Sequence, residues 1–181
     1  MIRLALAVAA SVTLAWTVSL TAQNHPKVEF ADAMKFVEKC RVDDLRALIT
    51  GAPIGAVTAG NAVAGANAQG VDPSGIKSPE GTPLIVATAE TDCVEGMRIM
   101  LNAGAELTET DKLGRTALHA AAASSTVSMV QLLVERKADV NAKTAAGDTP
   151  LSLAKTNNYK GKTDQRDKIV KFLTSKGAKD K

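Results

Sequence analysis

A nine-residue pattern that returns every 33 positions constrains this chain more than any other feature. GTPLIVATA begins at Gly81, GRTALHAAA at Gly114 and GDTPLSLAK at Gly147. A second apolar run follows each one: VEGMRIMLNAGA (94–105), VSMVQLLVERKA (127–138) and IVKFLTSKGA (169–178). In the middle run Val127, Val130, Leu133 and Val134 recur at helical spacing and form one apolar stripe. Thr82-Pro83, Thr116-Ala117 and Thr149-Pro150 read as helix starts, with threonine as the cap and proline tolerated in the first turn. Gly104 and Gly177 suit helix ends that need a positive φ. Each unit is therefore two short helices and a turn. The composition agrees: apolar residues reach 45% while aromatic residues are only 3%, which favours closely packed helices over a sheet sandwich.

Residues 1–22, MIRLALAVAASVTLAWTVSLTA, have a basic start at Arg3, an uncharged apolar stretch from Leu4 to Leu20, and a small residue at Ala22. This is the pattern of an export signal removed by cleavage, followed by a polar linker over 23–29. The rival is an uncleaved membrane anchor, since the apolar stretch approaches the roughly 20 residues that span a bilayer. After cleavage no membrane span is expected, and both readings place the remaining chain outside the cytoplasm. The formal net charge of +3 gives no general field for nucleic acid. Residues 155–181 carry nine Lys or Arg against three Asp. A basic end of this kind meets phosphate or anionic lipid, or simply keeps a terminal helix soluble.

With the period and the residues Thr116-Ala117-Leu118-His119-Ala120-Ala121 in view, the chain resembles the ankyrin repeat family. Lys137-Ala138-Asp139-Val140-Asn141-Ala142 resembles that family's hairpin entry. The units at Gly81 and Gly147 match the start of the pattern but carry Ile85 and Ser152 in place of the histidine. The resemblance implies an all-α ankyrin repeat solenoid of about four helix-turn-helix repeats with short hairpin loops. FADAMKFVEKC (30–40) and VDDLRALITGA (42–52) supply a degenerate first unit. The domain then runs over 30–181, with repeats at about 30–52, 78–110, 111–143 and 144–181. The last unit holds about seven extra residues near NNYKGKTDQ. A longer insertion covers 53–77, and it reads as a flexible surface loop or as an elongated hairpin that grips a partner.

The same resemblance gives His119 a structural role, with its ring bonded near Thr116; Gly81, Gly114 and Gly147 join them as structural positions. Catalysis at His119 would need a neighbouring nucleophile or base, and its neighbours are alanines. His25 falls in the linker, Ser124, Ser125 and Ser128 have no second histidine to activate them, and Asp43-Asp44 suit a helix start. No GxGxxG loop and no zinc-ligand spacing occurs, so neither a cofactor nor a metal is expected. Cys40 ends the first helix of unit one, where the family prefers glycine, and Cys93 lies one position later in unit two. Equivalent points in stacked repeats are about 10 Å apart, so that offset brings a disulfide within range, and an oxidising compartment favours it. Two separate buried thiols are the alternative.

The resemblance also places partner contacts on hairpin tips and inner helices: Pro79, Glu80 and Thr82, then Lys112, Leu113 and Arg115, then Ala145, Ala146 and Asp148. The expected function is protein binding, without enzymatic activity or nucleic acid, by a chain that is monomeric alone. One version is an exported scaffold or accessory factor for a bacterial periplasmic enzyme, such as one of oxidative defence. The alternative is an inhibitor or immunity protein that blocks a toxin or an enzyme.

Overall fold

The computed structural model describes residues 29–50, 72–124, 126–156 and 163–180. The expected export signal, most of the linker and most of the insertion lie outside the described residues. Those described form eight α-helices in four consecutive pairs. The pairs are α1 (Phe30–Glu38) with α2 (Val42–Thr50), α3 (Leu84–Glu90) with α4 (Val94–Asn102), α5 (Ala117–Ser124) with α6 (Val127–Glu135), and α7 (Pro150–Thr156) with α8 (Thr163–Ser175). The odd-numbered helices stack on one another as an inner layer and the even-numbered helices stack as an outer layer. All but α8 are very short, too short to persist alone in water. Their stability comes from this stacking.

The core residues explain the layering. In α5 every residue from Ala117 to Ala122 is buried, because helices press on it from both sides. Alanine lets the backbones approach closely enough for that. The outer helices keep one wet face: Met129, Val130, Leu132 and Leu133 of α6 are buried, whereas Ser128 and Gln131 are exposed. In the first pair, Ala33, Val37, Leu45 and Ile49 join the same continuous core.

Three outer helices end alike. The N–H groups of Ala105, Ala138 and Ala178 donate to the carbonyls of Met100, Leu133 and Leu173, each at 3.0 Å. This closure requires a left-handed residue just before the alanine. Gly104 and Gly177 supply it, as expected, but the middle position is Lys137 at φ +74°. Ala105 and Ala138 stand one period apart, whereas the step from Ala138 to Ala178 is longer. About seven extra residues are expected between the helices of the last unit; instead α8, with 13 residues against 9 in α6, takes up four of them, and the other three precede it.

The end of the 53–77 insertion is built into the fold. Pro73 and Ile76 are buried, the latter at 4% exposure. The carbonyl of Ile76 accepts from the Leu84 N–H at 2.9 Å, and Lys77 pairs antiparallel with Pro83. Ile76 stands one full period before Glu109 and thus opens the second unit's hairpin.

Candidate partner-binding surface

Three hairpins precede α3, α5 and α7, and their turns are copies one period apart. Each begins at a side-chain oxygen: Ser78, Asp111 or Thr144. The N–H four positions later donates to it, from Thr82 at 3.1 Å, Arg115 at 2.9 Å and Asp148 at 3.1 Å. Just before that donor, Gly81, Gly114 and Gly147 close the turn onto the carbonyls of Ser78, Asp111 and Thr144. Gly114 is required twice over. It sits at φ +73°, and a Cβ there would lie 2.8 Å from the backbone nitrogen of Ala145. That closeness allows the Ala145 N–H to donate to the Leu113 carbonyl at 2.9 Å, tying the tip of the third unit to that of the fourth.

The nine expected contact residues consequently fall in a row of three equivalent triplets. Pro79, Glu80, Lys112, Leu113, Ala145 and Ala146 are exposed; Thr82, Arg115 and Asp148, at the base of each tip, are half-buried. Leu113 is 62% exposed and is the only large apolar side chain so exposed among the described residues. Arg115, one of the expected partner contacts, also has a structural task. Its guanidinium donates to Asp111 Oδ2 at 2.7 Å and to Glu90 Oε1 at 3.0 Å, locking the hairpin of the third unit to the end of α3. Burial alone would raise the Asp111 carboxyl. The Arg115 N–H and guanidinium and the Leu113 N–H outweigh it and hold the group below the usual aspartate range.

His119 lies behind this row, fully buried at the start of α5. Nδ1 is 3.2 Å from the Thr116 backbone nitrogen and 2.9 Å from Thr116 Oγ1. A backbone N–H only donates, so Nδ1 accepts and Nε2 carries the proton. Nε2 then donates to the Asp148 carbonyl at 3.1 Å, in the next repeat. Burial depresses the imidazole pKa, outweighing the opposing hydrogen bond to Asp148. The ring is neutral at pH 7, with both nitrogens engaged in holding backbone. It has no lone pair to offer a substrate.

Ser152 takes the same position in the fourth unit. Its Oγ accepts from the Thr149 N–H at 3.0 Å, while Thr149 Oγ1 accepts from the Ser152 N–H at 3.2 Å. This is a reciprocal capping box. The Thr149 hydroxyl also donates to the Lys179 carbonyl at 2.9 Å, tying the C-terminal tail to the cap of the fourth unit. The expectation that Thr82 caps its helix is corrected. Pro83 stands at the cap with no side-chain bond: it is one period before Thr116, and Val86, not Ile85, is one period before His119 and offers no acceptor.

Cys40 and Cys93 form a disulfide with Cα atoms 5.3 Å apart. The turn acceptors Ser78, Asp111 and Thr144 share the repeat period but differ in residue type, so no motif marks them in the sequence. Nor does any motif mark Glu109, whose carboxylate oxygens are buried without a hydrogen bond, with Lys77 Nζ at 3.7 Å. Burial raises that carboxyl's pKa, against the attraction of Lys77.

A family model described as ankyrin repeats (3 copies) matches residues 55–144 and 84–181. A putative ankyrin repeat protein of Rickettsia felis is 32% identical over 88 residues, 48% of this chain and 23% of its own length. The palmitoyltransferase ZDHHC17 of Danio rerio is 37% identical over 75 residues, 41% of this chain and 12% of the relative. An ankyrin repeat and KH domain-containing protein of Caenorhabditis briggsae is 36% identical over 114 residues, 61% of this chain and 4% of the relative. The chain thus spans less than a quarter of each of these relatives. Stacked helical pairs, hairpins in register and the matched family pattern together establish that this chain belongs to the ankyrin repeat family.

Proposed function

We propose that the protein is an exported binding module that uses its hairpin row to hold a partner protein, as a scaffold or accessory factor in the bacterial periplasm. The exposed Leu113 at the centre of the row carries this reading. Its turn is fixed by Asp111, Gly114 and the bond from Ala145, so the side chain is presented with little ordering left to do on binding. An apolar anchor in a polar surround is the arrangement of an interface hot spot. Lys112 beside it favours an acidic patch on the partner. Support for export comes from the signal-like pattern of residues 1–22 and from a disulfide, which persists in oxidising compartments.

The test is affinity capture from periplasmic extract with the full chain, comparing the natural sequence with Leu113→Asp. The expected result is a defined partner retained by the natural chain and lost from the variant, with unchanged helical circular dichroism. Equal retention by both contradicts the reading. If the captured partner is an enzyme that loses activity on binding, the module acts as an inhibitor instead.

A further inference from the structure

The disulfide joins unlike ends. Cys40 is exposed, at the left-handed position that terminates α1, φ +46°. The Arg41 N–H donates to the Phe36 carbonyl at 2.7 Å, the same closure that ends the outer helices. Cys93 is 4% exposed and stands at the N-cap of α4. The helix beneath it is cut away. A Cβ on Gly96 would meet the Cys93 sulfur at 3.0 Å and Leu45 Cδ2 at 3.2 Å. A glycine inside a helix costs stability, so its presence here reflects the room that the sulfur and α2 require.

The disulfide also closes a sequence separation of 53 and bypasses the longest connection in the array. Without it, α1 and α2 rest on α3 and α4 through the packing of two short helices. The other repeats have short connections and hairpin bonds as well.

We propose that Cys40 is a thiol-exchange site and that exchange there releases the first helical pair from the array. The co-reactant is a dithiol of the Cys-x-x-Cys class. One of its thiolates attacks the Cys40 sulfur, forming a mixed disulfide as the Cys40–Cys93 bond breaks. The bonding electron pair leaves on the Cys93 sulfur, which takes up a proton. The open N-terminus of α4 favours that departing charge. The second thiolate of the dithiol then attacks its own partner sulfur in the mixed disulfide and frees Cys40. This chain gains two electrons and two protons, and the dithiol becomes a disulfide. The first pair then detaches, baring the Leu45 contact over Gly96, while the units from α3 to α8 stay stacked.

The experiment uses the full oxidised chain and two probes. Reduced glutathione, a monothiol, is added under native conditions, the reaction is quenched by alkylation, and the adduct is located by peptide mass. The expected adduct is on Cys40; an adduct on Cys93, or none without denaturant, overturns the site. Hydrogen exchange is then followed in the oxidised chain, the phosphine-reduced chain and the Cys40→Ser/Cys93→Ser variant. Amides of residues 30–49 are expected to lose protection by roughly a hundredfold on loss of the disulfide. Amides of 117–124 and 127–135 are expected to keep theirs, and they serve as the internal control for folding. Unchanged protection in 30–49, or equal loss throughout, overturns the release.

Discussion

The junction between the first and second units and the junction between the third and fourth solve one problem by opposite means. At the later junction, the His119 ring donates to the Asp148 carbonyl and the Ala145 N–H reaches the Leu113 carbonyl. Consecutive hairpins are close in sequence, and hydrogen bonds between them suffice. At the earlier junction, the stretch from Gly51 to Gly81 is threefold longer than the equivalent stretch from Gly104 to Gly114. A connection lengthened by that factor costs about 1 kcal/mol more in closure entropy. The first pair also has no partner on its outer side among the described residues. A covalent bond offsets both handicaps. In an array where stability sums over neighbouring interfaces, each interface is secured according to its connection, not by one device throughout.

The contrast is broken most severely at the disulfide. For a loop closed over a separation of 53, the chain-entropy account gives about 4 kcal/mol of stabilisation. Chemical denaturation of the Cys40→Ser/Cys93→Ser variant is expected to show an early transition for the first pair ahead of the main one. A single transition at the natural midpoint contradicts this.

At the other junction, His119→Ala removes the acceptor for the Thr116 N–H, strands the Asp148 carbonyl and leaves a cavity. A loss of about 2–3 kcal/mol is expected, or roughly 5–10 °C in melting temperature. His119→Ser is expected to lose less, because Ser152 holds the equivalent place in the fourth unit. Equal losses would mean that the ring's volume matters and its acceptor does not.

The pH dependence sharpens the same point. The folded imidazole has a pKa below the ordinary value of about 6.5. The unfolded chain therefore takes up the proton first, so the contribution of His119 is complete above about pH 6.5 and declines as the pH falls from there toward the folded value. Thermal melts from mildly alkaline to mildly acidic pH are expected to show a steeper decline for the natural chain than for His119→Ser. Parallel curves would remove His119 as the titrating group.

The smallest effect concerns the helix end shared by three units. Lys137→Gly places the residue found at 104 and 177 into a left-handed site, and a gain of about 0.5–1 kcal/mol is expected in equilibrium unfolding. A destabilised variant would show that the lysine contributes something beyond its backbone.

Much of this was legible in the sequence because a period fixes register. Once Gly81, Gly114 and Gly147 are aligned, the helix pairs, the tip row and the one-position offset that brings Cys40 to Cys93 all follow. Contacts that are set by what a side chain finds across space were not legible. The position of His119 is occupied by Ser152 in the next unit and by Val86 in the one before, and only geometry reveals that serine keeps the hydrogen bond and valine forfeits it. Arg115 reads as an exposed cation until Glu90, from the preceding unit, is seen beside it. Ile76 hides at the end of an insertion whose composition looks unstructured. Glu109 has no sequence signal at all, for its neighbours in register are Ile76 and Ala142, and nothing in the structure explains why a carboxylate stands between them.

In the function proposed above, the stacked repeats act by presenting the hairpin row to another protein. Photo-crosslinking in the native compartment tests it most directly, with a crosslinking residue at position 113 in one chain and at the exposed position 131 on α6 in another. A discrete crosslinked partner from 113 and none from 131 is the expected result. Crosslinking from 131 with none from 113 would contradict it.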